Sequence, residues 1–333
     1  MKAVIVSGPG ADKMALQEFQ DPTIESPKQI LIRTHAAGIN PVDHKARDAG
    51  GFFPDAVPFV LGCDGAGVVE AIGTEVDRFK VGDEVYFMNG GCGGDDQGTY
   101  AELSVLDQDY VALKPKSLSM VEASTVPLVW MTAWESLVDR CHLKSGQSVL
   151  VHAGAGGVGY IAIQIAKHLG ATVFTTISSD EKAEFAKSIG ADFCINYKTS
   201  NVAEEVLRLT DGLGVDVVFD TVGEDIIGKS IPATKVYGHL VTLEEIQCTP
   251  EEIGLLKLRN LSLSYELMLT PMFLKMHDAR KTQTEMLENA ASLIDSGKIK
   301  IKLSKSFAIE EVHEAHQLIK EGHAQGKIAL KIR

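Results

Sequence analysis

One stretch constrains this chain most: the apolar run Ser148-Val149-Leu150-Val151-His152-Ala153 enters Gly154-Ala155-Gly156-Gly157-Val158-Gly159, and a helical pattern follows. Gly154 and Gly156 permit a tight turn and close approach of the backbone to a pyrophosphate, while Gly159 lets the helix lie against the strand. Ile161, Ile165 and Leu169 recur every four residues, which predicts a helix with an apolar stripe. Its free N–H groups would face an anion. The glycine spacing alone arises in ordinary loops, so context carries the argument. A strand precedes the turn, a helix follows it, and Gly170 leads into a second apolar run, Thr172-Val173-Phe174-Thr175-Thr176-Ile177. That order predicts a dinucleotide fold.

From about Ser124 strands alternate with helices at regular intervals, the pattern of a parallel sheet with crossover connections. A helix capped by Ser179 or Asp180 carries Ala183, Ala186 and Ile189 and stops at Gly190; residues 193–197 then read as a strand, and Val202, Val206 and Leu209 as the stripe of another helix. Further strands are expected at 215–220, 239–243 and 261–269. Residues 1–123 hold short alternating runs broken by Gly and Pro and read as β-rich, with strands at 2–6, 29–36, 65–72, 84–88 and 100–105. Residues 89–98 read as a glycine-rich loop with too little bulk to pack. In the tail, helices are expected at 285–296 and 309–321 and strands at 299–303 and 327–332. A doubly wound sheet has its six strands without them, so the tail should rejoin the first domain.

Size and charge narrow the function. A chain of 333 residues can bury two cores. Its net charge of −13 disfavours a hold on nucleic acid or anionic lipid, either of which needs a basic patch. No apolar run reaches membrane-spanning length and the run at residues 1–6 is too short for a signal peptide, so a cytoplasmic protein is expected. Cys63, Cys92, Cys141, Cys194 and Cys248 are scattered and form no CxxC pair, which argues against a disulfide framework and a zinc knuckle.

Several stretches then agree with one family. Gly38-Ile39-Asn40-Pro41-Val42-Asp43, Gly62-Cys63-Asp64-Gly65-Ala66-Gly67 continuing to Gly73 and Val76, Val81-Gly82-Asp83-Glu84-Val85, Gly98-Thr99-Tyr100-Ala101-Glu102 and residues 153–159 together resemble the medium-chain dehydrogenase/reductase superfamily, in its zinc-free quinone oxidoreductase branch. The resemblance covers nearly the whole chain in order. It implies an α/β protein with a GroES-like β-rich catalytic domain over 1–123 and 270–333, a doubly wound Rossmann NADP-binding domain over 124–269, and an active site in the cleft between them. Zinc members of the superfamily have a ligating Cys where this chain has Asn40 and a His-Glu pair where it has Cys63-Asp64, and residues 89–98 offer only Cys92 toward a four-cysteine structural lobe. A catalytic zinc needs three protein ligands, so a metal-free protein is expected, with Cys63 as a packing residue.

NAD-specific relatives place an acid at the end of the second strand, where this chain has Ile177. Ser178, Ser179 and Lys182 follow and can offer hydroxyls and a cation to a 2′-phosphate, which favours NADPH; simple helix capping competes as the reading of the two serines. Tyr197 resembles a family tyrosine near that phosphate, and Asp180 is expected to cap the helix and face away. By resemblance Asn40 stands beside the nicotinamide or the substrate oxygen, Thr132 and Leu243 near the cofactor, and Asp43 fixes the loop. Helix packing competes for Thr132. Lys327 matches a position near the cleft, with a solvated lysine beside a strand as the competing reading. Phe52, Phe53, Met268, Met272 and Phe273 suggest an apolar pocket wall, and the family's catalytic tyrosine of enoyl-thioester reductases is missing around Phe52 and Phe53.

These features point to hydride transfer from NADPH to a quinone or an enone without a metal, with a small-molecule substrate and no nucleic-acid or membrane partner. An NADPH-binding sensor with little turnover, and a zinc-independent alcohol or aldehyde oxidoreductase, stay open as alternatives. The run at 261–269 would leave an unpaired sheet edge, and relatives commonly pair there, so a homodimer is expected.

Overall fold

Six parallel strands, Ser148–Val151 (β1), Thr172–Ile177 (β2), Phe193–Asn196 (β3), Val215–Asp220 (β4), Thr234–Thr242 (β5) and Ser262–Tyr265 (β6), lie side by side in the order β3-β2-β1-β4-β5-β6 in a computed structural model that describes residues 1–322 and 324–333. Reversal of strand order beside β1 is the switch point of a doubly wound sheet. These strands belong to the first of two compact units, Thr132–Met268; the second is Met1–Met131 with Leu269–Arg333. Leu150, Phe174, Val218 and Leu240 form the middle of one core on the sheet with Ile227 and Ile231. The helix Gly157–His168 crosses between β1 and β2. It is buried almost all round from Gly159 to Ala166, rather than along a stripe. Small residues at Gly159, Ala162 and Ala166 allow this close packing.

In the other unit the long strand Gln29–Ile39 pairs with Asp64–Ile72 on one side and with the tail strand Lys327–Lys331 on the other. The tail strand is joined in parallel by Leu303–Ala308, and a separate three-stranded sheet contains Lys2–Val6. Val4, Ile39, Phe59, Tyr100 and Leu330 fill a core between these elements.

Several boundaries move. The tail helix starts at His277 and runs 19 residues, and the strand expected at 299–303 instead occupies Leu303–Ala308, where its register with Lys327–Lys331 supplies the hydrogen bonds. The last strand of the parallel sheet is only Ser262–Tyr265, because Pro271 and the short helix Thr270–Phe273 take over the chain beyond it. The glycine-rich loop packs after all. Residues 89–93 are buried, because a Cβ on Gly90 would stand 2.2 Å from the Gln97 carbonyl and one on Gly91 2.3 Å from the Gly62 carbonyl. Backbone against backbone replaces side-chain bulk.

Candidate functional site

β1 delivers the chain into the glycine turn at the carboxyl edge of the sheet. Ala153 turns it at φ 52°, held by its N–H to Thr176 Oγ1 at 2.9 Å, and the Gly154 N–H reaches the Thr176 carbonyl at 3.2 Å. The three motif glycines serve different ends. A Cβ at Gly154 would stand 1.9 Å from Thr175 Oγ1, and one at Gly159 2.4 Å from the Ala153 carbonyl. The protein's own packing therefore forbids side chains at both. At Gly156, with an ordinary φ of −78°, a Cβ would meet only the Ala153 carbonyl, at 3.2 Å. Gly156, Gly157 and Val158 are partly exposed while Ala155 is buried, and no side chain caps the helix that starts here. Its first N–H groups lack intrahelical partners and suit a phosphate.

Around the turn the strand ends carry a buried polar set. Asp220 accepts from the N–H groups of Val222 and Gly223 and from Thr242 Oγ1 at 2.8, 3.1 and 2.9 Å, and its carbonyl receives the Leu243 N–H at 3.2 Å. His152 contacts Ser230 Oγ at 2.9 Å and Thr176 Oγ1 at 3.4 Å. Burial pushes its imidazole down to about 4, against the opposing pull of Asp220. The folded state keeps the ring neutral while the unfolded chain protonates it near 6.5, so stability falls as pH drops from about 6.5 to about 4. His152→Gln is expected to flatten the unfolding free energy over that window by about 1.4 kcal/mol per pH unit. Denaturant titrations at three pH values check this; an unchanged slope contradicts it.

At the end of β2, Ile177 is buried and Tyr197 lies alongside, its N–H on the Ile177 carbonyl at 3.2 Å. Ser178 is half-buried, as is Lys182, whose ammonium makes no ion pair among the described residues, and Tyr197 is 53% exposed. Ser179, not Asp180, is the N-cap: its Oγ accepts the Lys182 N–H at 3.3 Å. Asp180 sits exposed in the first helical turn, where a carboxylate suits the helix dipole.

The other unit holds a different polar assembly. Asn40 starts the helix Pro41–Ala49 and donates its backbone N–H to Asp43 Oδ2 at 2.8 Å, which also accepts from Tyr100 Oη at 2.8 Å; Asp43 thus fixes the loop. The Asn40 side chain is wholly buried, its Nδ2 donating to Asp64 Oδ2 at 2.9 Å and its Oδ1 accepting from Lys327 Nζ. Lys327 is not a solvated lysine. It is 3% exposed and also donates to the Ile39 carbonyl at 2.6 Å, with Asp64 at 4.0 Å. Thr132, 5% exposed, lies on the helix Pro127–Trp134, the first turn of which donates the Leu128 N–H to Asp64 Oδ1 at 2.9 Å. Asp64 is the residue that sequence reasoning passed over; its place in Gly62-Cys63-Asp64 was the available signal. Of the aromatic residues, Phe52 and Phe53 meet Phe273 edge-on at 6.3 and 5.2 Å, and Met272 is buried.

Cys63 is buried, donates to the Gly90 carbonyl at 3.3 Å and touches Cys92 sulfur to sulfur at 3.8 Å. The contact with Cys92 and burial push its thiol well up. No group of three or more His, Cys, Asp or Glu that could hold a metal occurs among the described residues. No helix among them is long and apolar enough to cross a membrane.

A doubly wound sheet with a glycine cradle at its switch point, inserted in the sequence of a β-rich unit, defines a dinucleotide-dependent oxidoreductase. Comparison with known proteins agrees: residues 26–116 match the alcohol dehydrogenase GroES-like domain and residues 189–330 the zinc-binding dehydrogenase family. The chain is 34% identical over 325 residues to a quinone oxidoreductase of Pseudomonas aeruginosa, covering 96% of each, and 35% identical over 309 residues to 2-methylene-furan-3-one reductase of Solanum lycopersicum, covering 91% of this chain and 71% of that one. It superimposes with a TM-score of 0.86 and 27% identity on the Escherichia coli quinone oxidoreductase complexed with NADPH, covering 99% and 100% of the two chains. The chain belongs to the medium-chain dehydrogenase/reductase superfamily, in its quinone oxidoreductase branch.

Proposed function

We propose that this protein is an NADPH-dependent reductase that delivers hydride to quinones or α,β-unsaturated carbonyls without zinc. The observation that carries this reading is the end of β2: a buried Ile177 in place of an acid, followed by half-buried Ser178 and Lys182. Two relatives support it, the Escherichia coli quinone oxidoreductase complexed with NADPH and the 2-methylene-furan-3-one reductase of Solanum lycopersicum. In this reading the N–H groups after Gly156 hold the pyrophosphate, Ser178, Ser179 and Lys182 hold the 2′-phosphate, and Tyr197 and Leu243 flank the nucleotide. When bound, NADPH supplies the hydride; the protein orients and dries the reacting groups. Thr132 attends the reacting end, and Asn40 and Lys327 support it from within the β-rich unit. A quinone or enone needs no Lewis acid to accept hydride, which fits Asn40 and Cys63 standing where zinc members have ligands.

The test is a panel of quinones, enones and primary alcohols assayed in excess chelator. NADPH oxidation by quinones or enones is expected at full rate, with no oxidation of alcohols by NADP⁺. Turnover that appears only for alcohols, and only after zinc is added, overturns the reading. The chain is further proposed to pair with a second copy along β6, which has a strand neighbour on one side only and leaves Tyr265 and Leu267 more than half exposed. Light scattering at micromolar concentration should give the dimer mass; a monomer contradicts it.

A further inference from the structure

We propose that Asp64 is the positioning residue of the β-rich unit: its carboxylate ties the first turn of the Pro127–Trp134 helix to Asn40 and, through Asn40, to Lys327. The direction of every hydrogen bond in this chain is forced. A lysine ammonium only donates, so the Asn40 atom facing Lys327 must be Oδ1. That leaves Nδ2 for Asp64, which as a carboxylate only accepts. The two charged neighbours therefore decide an amide orientation that would otherwise be ambiguous. The second Asp64 oxygen takes the Leu128 N–H, in the first turn of the helix directly after Pro127.

All of this is dry. Asp64, Asn40 and Asp43 are fully buried and Lys327 nearly so. The groups that face Asp64 are Lys327 and Asn40 as donors, Leu128 through its amide, and Asp43 as a second carboxylate, with the Tyr100 hydroxyl and the Cys63 thiol on Asp43's side. Burial holds the Asp64 carboxyl up at about 7, with Lys327 opposing, and burial lowers the Lys327 ammonium, with Asp64 opposing. One proton taken up by Asp64 removes the charge that faces Lys327 and puts an O–H among the donors of Asn40 and Leu128, which weakens the bonds from Lys327 to Leu128. Ionised Asp64 is the working form. Activity should therefore rise with pH through about 7, because the clamp is assembled above the carboxyl's folded value and undone below it.

The consequence for turnover rests on the reductase reading above, whereas the coupling of Asp64 to Lys327 does not, and the experiment separates them. Asp64→Asn leaves one acceptor for two donors, setting its NH₂ against either the Asn40 NH₂ or the Leu128 N–H, and Lys327→Met strands a buried carboxylate. Each single variant is expected to lower the melting temperature by several degrees and kcat by about 10- to 100-fold, with NADPH affinity changed less than kcat. The double variant removes both charges, so it should fold and regain much of the melting temperature. Asp64→Asn, unlike the wild type, should show no rise in kcat through pH 7. Losses that add in the double variant overturn the clamp even if no acceptor is ever found, and an Asp64→Asn enzyme with wild-type kcat and pH profile overturns the positioning role.

Discussion

Gly156→Ala is expected to raise the Kd for NADPH by about 100-fold or more while the melting temperature moves by only a few degrees. Within the protein a methyl group here meets a single carbonyl at 3.2 Å, and the backbone angle is one that alanine adopts readily. What the methyl group would occupy is the space through which a pyrophosphate approaches the helix N-terminus. Gly154→Ala is the control with the opposite signature. Its Cβ would overlap Thr175 Oγ1, so it should destabilise the fold by about 3 kcal/mol and lose binding only as a consequence. Calorimetric titration beside thermal melts of both variants checks the contrast. If Gly156→Ala binds NADPH as the wild type does, the turn is a structural corner and not a cradle.

A second large effect is expected at the end of β2. Ser178→Asp combined with Lys182→Ala should swing the ratio of kcat/KM for NADPH over NADH by about 100- to 1000-fold toward NADH. Two charge-assisted contacts to the 2′-phosphate are lost, each on the order of 1.5–3 kcal/mol, and a carboxylate is gained where a ribose hydroxyl can donate to it. Ser179 remains the cap and keeps the helix start in place in this variant. A variant that retains the wild-type ratio would place the discrimination elsewhere, with Tyr197 as the next residue to change.

How far the sequence carries is uneven, for physical reasons. The cradle and the six-strand sheet are local grammar: glycines at fixed spacing, apolar runs and helix caps within about thirty residues of one another. The same holds for Asp43, three residues from the amide it accepts. Long-range partners do not announce themselves. Lys327 looks like a surface lysine beside a strand, and its burial depends on Asn40 and Asp64, which are brought to it only when the tail strand pairs with Gln29–Ile39. Residues 89–93 lack bulk and so read as an unpacked loop, yet close backbone approach at Gly90 and Gly91 buries them. The strand at Leu303–Ala308 has weak alternation of its own and is set by its neighbour's register.

The most direct measurement is the rate of NADPH and NADH consumption, side by side, by protein dialysed against a strong chelator and supplied with a quinone or an enone. Brisk NADPH oxidation is expected, at least tenfold preferred over NADH by kcat/KM (about 1.4 kcal/mol), with no gain when zinc is restored. NADH preferred over NADPH, or activity that returns only with zinc, would contradict it.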